Sequence, residues 1–330
     1  MNADRRILQV GSAMILLALI LRLAGSFSLE PVAQMLRSPK VGQAMIFLTT
    51  GRLVRQQELQ SQHQTQASEP PPPAPTQPEQ KPISFSGEDG ALVGVKNTTG
   101  QTFDLQALID QPLTWDLYGD APTVLILHTH GSESYENTEN YPESSLYRTL
   151  DCRYNMVSVG ERVAQRLEAA GIGAIHDKTL HDNPSYSGSY EQSRKSMASY
   201  LEQYPSICLV LDLHRDAAED GNGNQVSYTV QTPEGAAAKL MLVLGTNDGG
   251  LYHPNWRENL ALGVKLQVCL EKSVPGICRN LCLRTSRFNQ DLSPGALLIE
   301  VGSAGNTRQE ALLAADLLAE AIITLAKGAN

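Results

Sequence analysis

The chain alternates short apolar runs with longer stretches in which apolar positions recur every three to four residues, the pattern of buried strands separated by amphipathic helices. Residues 123–127 read as a strand, 155–170 as a helix ended by Gly171, 173–176 as a short strand and 190–203 as a second helix. Residues 207–213 form the most apolar strand. Further along, 226–230 and 239–244 read as strands, 256–271 as a helix, 296–301 as the last strand and 308–326 as a long terminal helix. Strands that lack polar alternation are covered on both sides. The fold class is therefore α/β, a mostly parallel sheet flanked by helices on both faces. No internal repeat, Walker loop or GxGxxG motif interrupts the alternation.

The N-terminal quarter follows a different pattern. Residues 7–21 are almost unbroken apolar sequence behind Arg5-Arg6, and the run continues past Arg22 to Leu29. Counted to Leu29 it spans a hydrocarbon core of about 30 Å, so residues 1–30 read as a cytoplasmic stub and membrane helix, with a signal peptide as the alternative. Arg37, Lys40, Arg52 and Arg55 lie on the far side and leave the orientation open. Residues 31–55 form a membrane-proximal segment whose apolar stretch at 41–48 is too short to cross. Residues 56–82, rich in Gln, Glu, Ser and Pro and including Pro70-Pro71-Pro72-Pro73, cannot bury enough surface to fold and read as an extended spacer. A folded domain is expected over 83–330.

Charge and cysteines narrow the class of partner and compartment. With 26 Lys+Arg against 35 Asp+Glu the net charge is −9, which sets nucleic acid aside. Five cysteines are an odd number and form no dense framework, so this is not a disulfide-stapled mini-domain. Cys278 and Cys282 have a spacing that would place both thiols on one helical face toward a metal. Without a second pair, unpaired thiols are the better reading.

Three of the apolar runs end in candidate chemistry. His128, His130 and Glu133 follow the first, His214, Arg215 and Asp216 follow the run at 207–213, and Glu300 closes the last. Ligands of open α/β sheets sit beyond the carboxyl ends of the strands, so two imidazole positions and two carboxylates can meet in one crevice. That is the donor inventory of a hydrolytic zinc site with one position left for water. On an extended backbone His128 and His130 share a side, and a turn at Gly131 frees Glu133 to converge with His130. The bland alternative is a polar loop facing water. His214 reads as a third metal ligand or a hydrogen-bonded structural histidine. Arg215 and Asp216 orient ligands, bind a substrate carboxylate, or form an ordinary ion pair. Glu300 sits in a buried strand, where a charge costs several kcal/mol unless it is paired or useful. It reads as a catalytic carboxylate and general base, against a buried salt bridge to Arg287 or Arg215. His176-Asp177 and His181-Asp182 are assigned to the cleft wall. Ser132 beside histidine suggests a serine hydrolase, but no GxSxG elbow is present.

Together these motifs resemble the stage II sporulation protein P family, membrane-anchored cell-wall hydrolases of endospore-forming Firmicutes. The resemblance rests on Leu127 through Tyr135, Asn155 through Glu161, His176-Asp177 through Arg194, Asp212 through Asp216, Arg287 through Ser293, and Leu298 through Gly302 with Asn306-Thr307. It spans about residues 85 to 327 in family order. It implies an amidase-like fold and cleavage of the N-acetylmuramoyl-L-alanine bond of peptidoglycan, with an added ability to cut stem-peptide cross-links. It implies zinc (Zn2+) held by His130, Glu133 and His214, with His128 as the alternative to Glu133, and Glu300 as the catalytic residue. Arg194, Arg215, Arg287 and Asn289 are then the contacts for the stem peptide's carboxylates and amides. The resemblance further implies an extracytoplasmic domain at the sporulation septum, partnered with a lytic transglycosylase and a polytopic membrane protein. Two rivals stay open: a non-catalytic peptidoglycan-binding scaffold, and a metal-dependent peptidase or deacetylase acting elsewhere on the wall.

Overall fold

The computed structural model describes residues 84–113, 116–136 and 147–328. The expected membrane anchor, membrane-proximal segment and spacer lie outside the described residues. Among the described residues no helix is long and apolar enough to cross a membrane.

Nine strands and five α-helices follow one another along the described chain. They are β1 (Val95–Asn97), α1 (Leu105–Ile109), β2 (Val124–Leu127), α2 (Met156–Ala169), β3 (Ala174–His176), α3 (Ser189–Gln203), β4 (Leu209–Asp216), β5 (Thr229–Thr232), β6 (Gly235–Ala238), β7 (Leu240–Gly245), α4 (Trp256–Ser273), β8 (Leu281–Arg284), β9 (Ala296–Ser303) and α5 (Arg308–Gly328). Seven strands form one sheet in the order β1-β8-β7-β9-β4-β2-β3. All its neighbours pair in parallel except β7 and β9, which are antiparallel. Two parallel halves thus meet at one antiparallel seam, and β2, β4 and β9 all point their carboxyl ends to the same edge. The hairpin β5–β6 stands apart as a two-stranded sheet.

The local reasons for these elements are in the sequence. Every residue of β2 and β7 is buried, as strands covered on both sides must be. Asn155 caps α2 by accepting from the Val157 amide, and Asp104 caps α1 through the amides of Gln106 and Ala107. Thr307 and Glu310 form a reciprocal capping box at the start of α5: the Thr307 hydroxyl accepts from the Glu310 amide and the Glu310 carboxylate from the Thr307 amide.

One sheet face packs under α2, α4 and α5, with Ile126, Leu211, Leu213, Leu242 and Ile299 in a continuous core. Each such fully buried side chain contributes about 2 kcal/mol of apolar burial. The other face carries α3 over Leu125, Leu127 and Val210. Beside it Met241, Val243, Cys282 and Leu298 pack with Phe288. Helices do lie on both faces, but unequally, and the strip of β4 and β9 beyond α3 is where Asp212, His214 and Glu300 emerge.

Differences from the sequence reading have physical causes. β4 runs on through Asp216, because His214 and Asp216 still pair with β9. The register shifts between those two pairs, and Gly302, at φ +70, sits in that irregularity. A Cβ on Gly302 would lie 2.8 Å from Ala238 Cβ. The strand expected at 226–230 lies later, as β5. Its partner β6 is Gly-Ala-Ala-Ala, which carries no β-branched signal. Cys282 falls on β8 rather than on a helix, and all five cysteines are free.

Candidate metal centre

The loop after β2 brings His130 and Glu133 against His214 of β4. Donor atoms of the three lie within 4.8 Å of one another, and all three residues are buried. Nδ1 of His130 is 3.7 Å from Glu133 Oε1, and Nδ1 of His214 is 3.7 Å from Glu133 Oε2. The two imidazole rings meet edge to face with centroids 5.0 Å apart. In the β4–β9 register His214 pairs with Glu300, so both side chains leave the same sheet face. Glu300 is half-buried as a residue, yet its Oε2 is sealed from solvent and has no hydrogen-bond partner among the described residues.

Neighbouring groups fix this arrangement. The Arg215 backbone amide donates to Glu133 Oε2 at 3.2 Å, and Arg148 Nη2 donates to Oε1 at 3.3 Å. Asp212, two residues before His214 on the same strand face, places Oδ1 3.0 Å from His214 Nε2, out of line for a hydrogen bond. Asp212 is itself held by the Thr129 amide and hydroxyl at 2.8 and 2.6 Å. Tyr186 stacks on His130 at 4.4 Å between centroids, and Tyr190 presents its edge at 5.5 Å.

The electrostatics follow from this crowding. Burial and the facing His214 charge push His130 down to about 3, leaving its imidazole neutral and able to ligate. Burial opposes a charge on His214, but the carboxylates of Asp212 and Glu133 overcome it and lift the group to about 10. Burial also drives Glu133 upward, against the pull of His214, Arg215 and Arg148. Burial raises Glu300 to about 8, with His214 pulling against it and Glu133 adding to it. Three carboxyl groups, of Asp212, Glu133 and Glu300, crowd one spot around two imidazoles, a set of donors suited to a cation. Two imidazoles and a carboxylate match the three protein donors of a catalytic zinc site, and the unpartnered Glu300 oxygen stands beside them. The residues present fit such an ion.

Other expected residues fall elsewhere. His128 does not share a side with His130. Its Nδ1 donates to the Leu213 carbonyl at 3.0 Å and its Nε2 meets His176 Nε2 at 2.9 Å, so both nitrogens are engaged away from the cluster. Gly160 of α2 makes room for that pair, since a Cβ there would come within 2.5 Å of His128 Nε2. The strand ends at Leu127, and the parity argument ends with it.

The four residues expected to touch substrate separate into two groups. Arg215 is buried and its guanidinium donates to the carbonyls of Ser134 and Tyr147; its place beside Glu133 is an orienting one. Asn289 is buried and donates to the Tyr190 carbonyl and Ser193 Oγ. Arg194 and Arg287 share Asp291, the former bidentate at 2.8 and 2.7 Å and the latter at 3.2 Å, and both keep exposed edges. Neither Arg287 nor Arg215 forms an ion pair with Glu300 among the described residues. The residues assigned to the cleft wall brace the loop after β2 instead: His181 bonds to the His128 carbonyl, Asp182 accepts from the Ser132 amide, the Ser132 hydroxyl and Arg148, and His176 meets His128 and Glu161 of α2.

Sequence reasoning missed Arg148, Tyr186 and the role of Asp212. Asp212 had a signal, a carboxylate in a buried strand two residues from a histidine. Arg148 had none, because it reaches Glu133 only through a bridge pairing residues 133 and 148.

The family model of stage II sporulation protein P matches residues 43–323. A curated relative, stage II sporulation protein P of Bacillus subtilis (strain 168), is 29% identical over 217 residues, which cover 61% of this chain and 50% of that protein. The chain thus spans about half the length of the curated relative it matches. Among solved structures it is similar to the N-acetylmuramoyl-L-alanine amidase AmiC2 of Nostoc punctiforme, at 16% identity and a TM-score of 0.36, covering 64% of this chain and 96% of that one. It is similar also to the amidase Ami1 of Mycobacterium smegmatis, at 13% identity and a TM-score of 0.38, covering 64% and 98%. A third is the CwlD amidase of Clostridioides difficile in complex with the GerS lipoprotein, at 14% identity and a TM-score of 0.36, covering 62% and 94%.

Proposed function

The chain belongs to the stage II sporulation protein P family, and from that premise we propose that it is a zinc-dependent peptidoglycan hydrolase of sporulation that cuts the N-acetylmuramoyl-L-alanine amide bond. The observation that carries this reading is the convergence of His130, Glu133 and His214 beside Glu300, whose Oε2 has no partner. Zinc held by those three residues supplies Lewis-acid polarisation of an amide carbonyl and makes water a better acid. Glu300 supplies the proton traffic: its free oxygen takes a proton from the attacking water and returns one to the departing L-alanine amine. Asp212 and the Arg215 amide hold His214 and Glu133 in place. Tyr186 and Tyr190 wall the approach over His130, and Arg194 and Arg287 offer their exposed edges to the stem peptide's carboxylates.

We infer for the whole protein a membrane anchor in residues 1–30, a membrane-proximal segment in 31–55, a linker in 56–82 and, over 83–330, a catalytic domain outside the cell at the sporulation septum. A lytic transglycosylase and a polytopic septal membrane protein act with it on the same wall. Support for these points comes from the apolar run to Leu29, the proline-rich spacer and family membership.

Digestion of purified wall sacculi tests the bond cleaved. Mass analysis should find stem peptides with free L-alanine amino termini and glycan with intact muramyl groups, lost with a chelator and regained with zinc. Cross-link cleavage without free L-alanine would assign a peptidase instead. Binding to sacculi with no released fragment would make it a scaffold.

A further inference from the structure

We propose that Arg148 is a positioning residue for the metal ligands, an inference that rests on the zinc-hydrolase reading above. Arg148 meets the cluster from two sides. Nη2 donates to Glu133 Oε1 at 3.3 Å, while Nη1 donates to Asp182 Oδ2 at 2.9 Å and lies 3.3 Å from Ser132 Oγ. Its guanidinium also lies over the Tyr186 ring, 4.5 Å from the centroid, and Tyr186 in turn stacks on His130. One side chain therefore touches one ligand directly and backs the ring that covers another.

The geometry of Glu133 shows what this does. Its carboxylate is clamped between two donors, the Arg215 amide on Oε2 and Arg148 on Oε1. Each oxygen is left facing one histidine Nδ1 at 3.7 Å. With one donor removed the carboxylate is free to turn about its last bond and lose its aim at the pair of imidazoles. Arg215 cannot replace Arg148, because its guanidinium is committed to the carbonyls of Ser134 and Tyr147. Nor can lysine: the contacts to Asp182 and Glu133 use two different nitrogens of a planar fork, and an ammonium is a single point. Asp182, whose side chain is fully buried, anchors the far prong.

Zinc affinity of the full chain, measured by competition with a chromophoric chelator, tests the proposal. Arg148→Ala and Arg148→Lys should each bind zinc about 10–100-fold more weakly, as loss of an outer contact to a ligand does. Millimolar guanidinium should restore affinity to Arg148→Ala, which has a hole of that shape, and not to Arg148→Lys. An ion pair that serves only the fold would not respond in this way. An affinity within about threefold of the parent's, or a loss that guanidinium does not repair, overturns the proposal. Should Arg148→Ala fail to fold, Asp182→Asn reads the same clamp: a loss of about tenfold supports it and an unchanged affinity refutes it. If the parent chain itself binds no zinc, the hydrolase reading falls first and takes this inference with it; a parent that binds normally beside unaffected variants refutes the role of Arg148 alone.

Discussion

At the scale of single residues, the proposed hydrolysis turns on Glu300, whose Oε2 has no hydrogen-bond partner among the described residues. It stands on the same strand face as His214, and burial holds its carboxyl at about 8, so it keeps a proton within reach of neutral pH. Glu300→Gln keeps the shape and removes the proton exchange. Hydrolysis should fall by about 10²–10⁴, the usual share of a general acid–base, while zinc content by metal analysis stays that of the parent. An active Glu300→Gln protein would give the proton traffic to another group. Glu300 was visible in the sequence because a carboxylate inside Leu-Leu-Ile-Glu-Val has no cheap explanation. His130, Glu133 and His214 were visible as polar residues just past apolar runs. Whether His128 takes the place of Glu133 was not, since it depends on where β2 stops and the chain turns. Contacts such as Arg148 with Glu133 join residues with no shared period, and a pattern along the chain carries no sign of them.

At the scale of elements, the segment between β8 and β9 is tied to α3 by Asp291. Burial works against its charge, but the fork of Arg194, with Arg287 beside it, holds the Asp291 carboxyl below its ordinary value. A carboxyl lowered in the fold stabilises it above the ordinary value, near 3.9, and that stabilisation fades as pH falls through the lowered value. Asp291→Asn should therefore be less stable than the parent at pH 7 by about 1 kcal/mol, the upper range for partly exposed pairs. The gap should close as pH drops below about 4. Urea midpoints at several pH values check this, and a gap independent of pH would mean that the Asp291 charge is not what ties the elements. The long elements, α2, α3, α4, α5, β4 and β9, were legible from periodicity and caps. β1, β6 and β8 were not: two are short strands at or near the sheet edge, and the third is mostly alanine, so each is fixed by its partner rather than by its own residues.

For the whole molecule, topology makes the proposed metal site a property of the folded state alone. His130 and Glu133 follow β2, while His214 lies on β4, and the two strands become neighbours only when the parallel half of the sheet forms. An unfolded chain would have to close a loop of about 80 residues to collect the same donors, so zinc should bind the native state almost exclusively. Binding then stabilises by mass action, about 2.7 kcal/mol when free zinc is 100 times its dissociation constant. For a domain of this size that corresponds to a rise in melting temperature of roughly 5–10 °C. The shift should survive in Glu300→Gln, which leaves all three donors in place, and disappear in His214→Ala, which removes one. Scanning calorimetry with and without zinc distinguishes these cases: an equal shift in His214→Ala would place the ion elsewhere, and none in the parent would leave the acidic pocket to be neutralised by its own protonated histidine.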